Sequence, residues 1–260
     1  MNLENELKTA IKVSREAGNK IIEIYNKDFG VSYKKDNSPV TNADKKANKI
    51  IVNSLKENFP DYAILSEESL DDSKRIKNKW CWIIDPLDGT KEFIKKNDEF
   101  TVNIALIYEN RPVIGVIFAP ALNDLYYGVK NEGSYYMNNF NSEAIEIKVS
   151  NKENNLRALK SRSHSSKEVN ELYSNNKVSD IKKMGSSLKG CLIAKGEAEI
   201  YYRFNANFEW DVAAMDCIVT EAGGIFKELK NKKMIKYNSQ KNVQKNAYYI
   251  LNLEKNDLLN

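Results

Sequence analysis

Acidic residues at three separated places in the sequence have the types and positions needed to bind a hard cation. Glu67 and Glu68 follow one short apolar run, Asp85 and Asp88 follow another, and Asp211 opens a predicted helix. Taken singly, each has a plainer explanation, as a solvated loop, a polar turn or a helix start that favours a carboxylate. Acids at the ends of separate strands converge readily, however, and all-oxygen ligands suit Mg²⁺. Together the three places predict a magnesium centre.

The second of these places organises the chain. Residues 81–84 are apolar and predict a short buried strand, which we expect to end at the Asp-Pro-Leu-Asp-Gly run that follows. Pro86 fixes φ and Gly89 permits a tight turn, so that Asp85 and Asp88 can point the same way. Two carboxylates crowded at one strand end are costly to bury unless a cation lies between them.

A hydroxyl and a further acid complete a plausible hydrolytic set. Thr90 follows Gly89 and can offer its hydroxyl to a water, and Asp44 can accept the proton from Thr90. Divalent ions lower the pKa of a bound water and stabilise attacking and leaving oxygens, so no covalent intermediate is needed. These residues predict hydrolysis of a phosphate ester.

Apolar periodicity predicts the elements that position these residues. In the first half we expect helices over residues 3–25 and 41–59, short strands over 29–33 and 63–65, a polar loop over 34–39, and an antiparallel meander over 100–108, 112–118, 125–129 and 133–137. In the second half strands alternate with helices over 157–161, 167–174, 186–195, 198–202 and 211–222, which predicts an α/β layer. The polar stretch 138–150 marks a boundary between an N-terminal α+β half, 1–145, and a C-terminal α/β half, 146–260.

Composition narrows the class of protein. The chain has 260 residues, 40 basic and 36 acidic side chains, and a net charge of +4. This small, evenly spread charge suits a small anionic ligand and argues against a nucleic-acid polymer as partner. No apolar run approaches the roughly 20 residues of a membrane span. The three cysteines lie in apolar stretches without metal-ligand spacing, so we expect reduced thiols and a cytoplasmic protein, free or peripheral on the inner face of the membrane.

Four motifs in order resemble the inositol-monophosphatase-like, magnesium-dependent, lithium-sensitive phosphatases. They are Pro39-Val40-Thr41-Asn42-Ala43-Asp44, Leu65-Ser66-Glu67-Glu68-Ser69, Asp85-Pro86-Leu87-Asp88-Gly89-Thr90 and Trp210-Asp211-Val212-Ala213-Ala214. The resemblance implies an α-β-α-β-α layered sandwich of the inositol monophosphatase and fructose-1,6-bisphosphatase type. It also implies two or three Mg²⁺ ions per site, and a monomer or homodimer.

The resemblance also assigns roles to individual residues. It implies that the metal ligands are Glu67, Asp85, Asp88, Asp211 and the Leu87 carbonyl. It further implies that Thr90 and Asp44 activate the water, with Glu67 assisting, and that the scissile phosphate lies against Asp88, Gly89, Thr90, Lys91 and Asp211.

Within this family, residues 88–93 resemble the branch that removes the 3′-phosphate from adenosine 3′,5′-bisphosphate, a nucleotide of sulfur metabolism. In that branch the equivalents of Ser186, Lys189 and Arg203 hold the 5′-phosphate, and the equivalent of His164 lies against the adenine. Residues 205–209 depart from the branch, which usually has Pro-Thr before Glu-Trp-Asp, so the shape of the loop under the substrate and the base selectivity stay open.

Two other functions remain open from the sequence. An inositol-1-phosphate or other sugar-phosphate phosphatase would use the same metal ligands. A non-catalytic nucleotide sensor or RNA-binding module is the alternative from another class, although every acid and hydroxyl that the chemistry requires is present. The sequence also does not separate adenosine bisphosphate from its phosphosulfate relative.

Overall fold

The computed structural model describes residues 1–27, 30–33, 39–139, 142–239, 243–244 and 247–259. In these ranges the α-helices are α1 Glu4–Tyr25, α2 Asn42–Asn58, α3 Thr90–Ile94, α4 Lys167–Asn175, α5 Leu188–Ala194 and α6 Glu209–Glu221. The strands are β1 Val31–Tyr33, β2 Pro39–Thr41, β3 Ala63–Ser66, β4 Trp80–Asp88, β5 Thr101–Tyr108, β6 Arg111–Ala119, β7 Asp124–Val129, β8 Gly133–Asn138, β9 Ile145–Ile147, β10 Arg157–Ser161, β11 Asp180–Met184, β12 Ile200–Arg203, β13 Asn207–Phe208, β14 Ile225–Glu228, β15 Val243–Gln244 and β16 Tyr248–Leu251. Short 3₁₀ turns lie at Ser73–Lys77 and Glu254–Asn256.

A seven-stranded sheet in the order β3-β4-β5-β6-β7-β8-β9 is the larger of the two main sheets. β3 runs parallel to β4, and the rest of the sheet is antiparallel. Successive side chains of a strand point to opposite sides, and in this sheet the side chains on both faces are buried. Trp82 and Ile84 pack against α1 and α2, whereas Cys81 and Ile83 belong to the core that contains α5 and α6.

Local sequence explains the first helix layer. In α1 the buried side chains recur at helical spacing, from Ala10 through Ala17 to Ile21. α2 begins with a capping box, in which the Ala43 N–H donates to Thr41 Oγ1 at 3.1 Å and the Thr41 N–H donates to Asp44 Oδ2 at 2.7 Å. The helix predicted to begin near Thr41 is confirmed.

The second main sheet is mixed and has the order β11-β10-β12-β16-β14. One face joins Leu159, Tyr201 and Ile250 to the core around α5 and α6. Side chains on the other face of this sheet pack against Val169 and Tyr173 of α4. The layers are therefore α1/α2, large sheet, α5/α6, smaller sheet and α4, so the predicted α-β-α-β-α sandwich is confirmed.

The expected end of the central strand at Asp85 is wrong, because β4 continues to Asp88. The register against β5 shifts between Asp85, which pairs with Asn103, and Asp88, which pairs with Thr101. One residue is therefore extra on β4, and a bulge of this kind is a place where a sheet tolerates proline. In a regular strand, positions three apart face opposite sides. The bulge is what turns both aspartates to the same face.

The structure confirms some of the other elements predicted from the sequence and contains some that were not predicted. The four-stranded meander and the alternation of strands and helices after residue 157 are confirmed, with boundaries that differ by a few residues. Helix α3 and strands β2, β9, β13, β15 and β16 were not expected. A polar loop was expected over 34–39, of which residues 34–38 lie outside the described residues and Pro39 begins β2. Phe29, where the first short strand was expected to begin, also lies outside the described residues. The division at residue 145 stays a prediction, and β9 pairs with β8 across that position.

Candidate functional site

A cavity of about 340 Å³ lies where β4, α5 and α6 meet. Most of the residues selected from the sequence line it, namely Glu67, Asp88, Gly89, Thr90, Lys91, His164, Ser186, Lys189, Arg203 and Asp211. Asp44, Asp85 and Leu87 lie behind that lining and contact it through the hydrogen bonds and charges described below. Residues that are far apart in the sequence therefore reach one site.

The carboxylates form the first end of the cavity. Glu67 follows β3, and its N–H donates to the Ile84 carbonyl of the adjacent β4 at 3.2 Å. Asp85 is only 2% exposed. Burial, and then the charges of Glu67, Asp88 and Asp211, raise the pKa of Asp85 well above its usual value. Carboxylates that perturb one another in this way are close neighbours.

Asp211 reaches the same end from the first turn of α6. Its Oδ2 accepts the Phe208 N–H at 3.1 Å, so the helix-start role expected for this residue is also present. Burial, followed by the charges of Asp88 and Glu67, raises the pKa of Asp211 to about 8. Helix α6 therefore positions the carboxylate of Asp211, and the acidic neighbours destabilise the charged form of that carboxylate.

This donor set fits a divalent cation of the Mg²⁺ type. All the charged groups are carboxylates, and burying several without a cation costs free energy that a bound ion would offset. Within the described ranges, no three His, Cys, Asp or Glu side chains already stand close enough together to hold an ion. We expect the carboxylates to draw inwards when a cation binds.

Asp44 and Thr90 lie beside the carboxylates. Thr90 Oγ1 donates towards Asp44 Oδ1 at 3.2 Å and lies 3.4 Å from the Leu87 carbonyl oxygen. The other oxygen of Asp44 accepts the backbone N–H and the hydroxyl of Thr41, both at 2.7 Å. Burial raises the pKa of Asp44, and the Thr41 hydrogen bonds oppose that rise. The geometry leaves Asp44 able to receive a proton from Thr90.

Gly89 shapes the turn between β4 and α3. Its φ of 94° lies in the left-handed region that favours glycine, and a Cβ there would come within 3.1 Å of the Glu99 carbonyl oxygen. The turn lets α3 begin at Thr90 directly beside Asp88. The free N–H groups of this first turn are suited to phosphate oxygens.

Buried hydrogen-bond donors form the opposite end of the cavity. Ser186 Oγ, Tyr201 Oη and Arg203 Nε are buried and make no hydrogen bond of normal geometry in the described part of the chain. Lys189 is 5% exposed, and its Nζ donates to the Ser186 carbonyl oxygen. Buried polar groups are normally paired, so this group of donors predicts an anionic partner.

His164 lies at the mouth of the cavity with Lys91. Lys91 Nζ and His164 Nε2 are 3.0 Å apart. Partial burial, and then the positive charges of Lys91 and Arg203, lower the pKa of His164 to about 4. The imidazole is therefore neutral near pH 7 and accepts a hydrogen bond from the ammonium group.

Some residues that line the cavity were not predicted from the sequence. Tyr248 lines the cavity from β16, which pairs with β12 and so lies beside Tyr201. No local motif marks Tyr248, and only the strand pairing brings it to the site. Asn207, in the segment that departs from the expected pattern, also lines the cavity.

Comparison with known proteins shows the family of this chain. Residues 2–256 match the model of the inositol monophosphatase family. The 3′(2′),5′-bisphosphate nucleotidase CysQ of Buchnera aphidicola is 44% identical over 217 residues, which cover 82% of this chain and 80% of that protein. The CysQ nucleotidase of Escherichia coli K12 is 39% identical over 216 residues, covering 82% of this chain and 86% of that protein.

Solved structures show the same likeness. The crystal structure of CysQ from Bacteroides thetaiotaomicron, a bacterial member of the inositol monophosphatase family, superposes with a TM-score of 0.85 at 34% identity, covering 97% of this chain and all of that one. An inositol monophosphatase from Thermotoga maritima superposes with a TM-score of 0.79 at 26% identity, covering 95% and 92% of the two chains.

Proposed function

This chain belongs to the inositol monophosphatase family, and from that premise we propose that it is a Mg²⁺-dependent 3′(2′),5′-bisphosphate nucleotidase. The reaction converts adenosine 3′,5′-bisphosphate and water to AMP and inorganic phosphate. The observation that carries the proposal is one cavity with a carboxylate end and a cationic end. A substrate with two separated phosphates fits such a cavity, whereas a monophosphate would leave the cationic end unpaired.

At the carboxylate end, Glu67, Asp85, Asp88, Asp211 and the Leu87 carbonyl would hold two or three Mg²⁺ ions. Bound there, the ions would supply Lewis-acid chemistry, because they lower the pKa of water and neutralise charge on the phosphate oxygens.

The chain's own residues supply the proton transfer and the orientation. The Thr90 hydroxyl orients the attacking water. A proton passes from that water through the hydroxyl to Asp44, whose Oδ1 lies 3.2 Å from Thr90 Oγ1. Burial raises the pKa of Asp44, which favours proton acceptance. The water oxygen bonds to the 3′-phosphorus as the bond from phosphorus to the ribose 3′-oxygen breaks, and the 3′-oxygen takes up a proton from solvent water to become the 3′-hydroxyl of AMP. Glu67 assists in orienting the attacking water. The N–H groups of residues 89–91 stabilise charge on the phosphate.

At the cationic end, Ser186, Lys189 and Arg203 would bind the 5′-phosphate. The unpaired Ser186 Oγ and Arg203 Nε, both buried, support this role, since an anion would satisfy them. His164 would lie against the adenine, as a neutral ring next to Lys91. The same end would accept the 5′-phosphosulfate of the related nucleotide.

A phosphate-release assay over a small panel of substrates tests the proposal. The panel contains adenosine 3′,5′-bisphosphate, its 5′-phosphosulfate relative, adenosine 3′-monophosphate and inositol 1-phosphate, each with Mg²⁺. Asp88→Asn protein, purified in parallel, measures any contaminating phosphatase. We expect the bisphosphate to have the highest kcat/KM, and the panel also ranks the phosphosulfate.

The alternatives give different results in the same assay. Preference for inositol 1-phosphate would favour the sugar-phosphate phosphatase and remove the roles given to Lys189 and Arg203. Binding of the nucleotide with Mg²⁺ but without phosphate release would favour a nucleotide sensor.

No helix among the described residues has both the length and the apolarity to cross a bilayer. Monomer or homodimer stays a prediction.

A further inference from the structure

Ser187 makes contacts that its position in the chain does not explain. It is the N-cap residue of α5, where a serine hydroxyl usually accepts a hydrogen bond from the first turn of the helix, yet its side chain makes no such bond. Instead, Ser187 Oγ donates to Asp88 Oδ2 at 2.8 Å. The hydroxyl is also 3.0 Å from the Asp211 carbonyl oxygen. A side chain that is only 2% exposed therefore contacts two of the segments that carry carboxylates.

The Ser187 hydroxyl is itself oriented by a chain of buried hydrogen bonds. Thr101 Oγ1 donates to Asn103 Oδ1 at 2.8 Å, and Asn103 Nδ2 donates to Ser187 Oγ at 2.8 Å. Both residues lie on the face of β5 that is turned towards α6, and both are at most 1% exposed. Asn103 Nδ2 also lies 3.4 Å from Asp88 Oδ2. Each donor in the chain points towards the carboxylate, and aligned hydrogen bonds of this kind strengthen one another.

The consequence for Asp88 is a fixed carboxylate plane. With Oδ2 held by Ser187 and more weakly by Asn103, Oδ1 is the oxygen left to face a cation. The neighbouring Ser186 has a φ of 43°, a strained value for a residue other than glycine. This backbone turn points Ser186 Oγ into the cationic end of the cavity while Ser187 Oγ reaches the carboxylate end.

We propose that Ser187, oriented by Asn103 and Thr101, is a positioning residue that holds Asp88 for cation binding. The inference rests on the proposed function for its cation and adds residues to which the family motifs assign no role. Loss of a partner in the outer shell of a metal site typically lowers metal affinity by about 10- to 100-fold. We expect Ser187→Ala to weaken Mg²⁺ binding by about 10-fold.

The test is calorimetric titration of the full chain with Mg²⁺, without nucleotide. Four variants are compared with wild type, namely Ser187→Ala, Ser187→Thr, Thr101→Val and Ser134→Ala. Ser134 is the matched control, because it is a fully buried serine that donates to the Ile218 carbonyl of α6 at 2.7 Å. Thr101→Val keeps the side-chain volume and removes only the first donor of the chain.

We expect Ser187→Ala to bind Mg²⁺ about 10-fold more weakly than wild type, and Thr101→Val about threefold more weakly. Ser187→Thr should restore most of the affinity, and Ser134→Ala should lower the melting temperature with unchanged affinity. Wild-type affinity in Ser187→Ala, equal losses in Ser134→Ala, or no Mg²⁺ binding by wild type would overturn the proposal. If Ser187→Ala does not fold, Thr101→Val decides.

Phosphate release from the bisphosphate by wild type is measured separately. If wild type binds Mg²⁺ but releases no phosphate, the proposed nucleotidase activity fails. The positioning role of Ser187 is then still supported by the weaker binding in Ser187→Ala and overturned by unchanged binding.

Discussion

Replacement of Lys189 by alanine tests whether the cationic end of the cavity binds a second phosphate. Lys189 Nζ already donates to the Ser186 carbonyl oxygen, so two of the three donors of the ammonium group are left for a ligand. The side chain is 5% exposed, so a bond to phosphate would be shielded from water. A hydrogen bond to a charged group contributes about 1.5–3 kcal/mol, and about 1.4 kcal/mol corresponds to a tenfold change in affinity.

We therefore expect Lys189→Ala to raise KM for adenosine 3′,5′-bisphosphate by about 10- to 150-fold, with kcat little changed. The assay is initial-rate phosphate release, with adenosine 3′-monophosphate as the second substrate. That substrate has the same scissile group and base but no 5′-phosphate, so its KM should change by less than about twofold.

Lys195→Ala is the matched control. Lys195 follows the last residue of α5, and its Nζ pairs with Glu197 at 2.8 Å, away from the residues that line the cavity. This variant should leave both KM values unchanged. Equal losses on the two substrates in Lys189→Ala would show that Lys189 does not distinguish a substrate with a second phosphate from one without it.

Three further predictions concern the carboxylate end, the histidine and the packing of α6. Asp88→Asn should lower kcat by more than about 100-fold, since cation stabilisation of the transition state contributes several kcal/mol. His164, the sole histidine of the chain, should titrate by NMR with a pKa of about 4, and its contribution to stability should be complete above pH 6.5 and be lost as the pH falls towards 4. Gly115→Ala should cost about 1–3 kcal/mol in urea unfolding, because a Cβ would lie 2.3 Å from the Ala214 carbonyl oxygen.

Each of these predictions has a clear contrary outcome. Near-normal turnover by Asp88→Asn would remove Asp88 from the cation site. A histidine that titrates at 6.5 or above would show that burial and the nearby cations do not destabilise its charged form. Unchanged stability of Gly115→Ala would mean that α6 and β6 approach each other less closely than described.

The carboxylate end could be predicted from sequence because its residues follow local rules. Glu67 directly after a short apolar run marks the end of β3, and the Thr41 and Asp44 pair marks a helix start with a capping box. The bulge at Pro86 could not be predicted. The sequence shows two aspartates three positions apart, but only the pairing with Asn103 and Thr101 of the next strand shows which faces they occupy.

The cationic end depended more on resemblance than on local pattern. Lys189 and Arg203 are ordinary basic residues in sequence, and their meaning comes from burial beside donors without partners. The helix predicted over 186–195 places Ser187 near its start, but the hydrogen bond from Ser187 to Asp88 joins residues 99 positions apart. Contacts of that range follow from the layer packing and have no signature in a single sequence.

The central claim is that acids from distant parts of the chain meet around divalent cations. The most direct measurement is anomalous diffraction from crystals grown with Mn²⁺ as a stand-in for Mg²⁺. We expect anomalous peaks within coordination distance of Glu67, Asp85, Asp88 and Asp211. Peaks elsewhere with these four carboxylates turned apart, or no peak at saturating Mn²⁺, would contradict it.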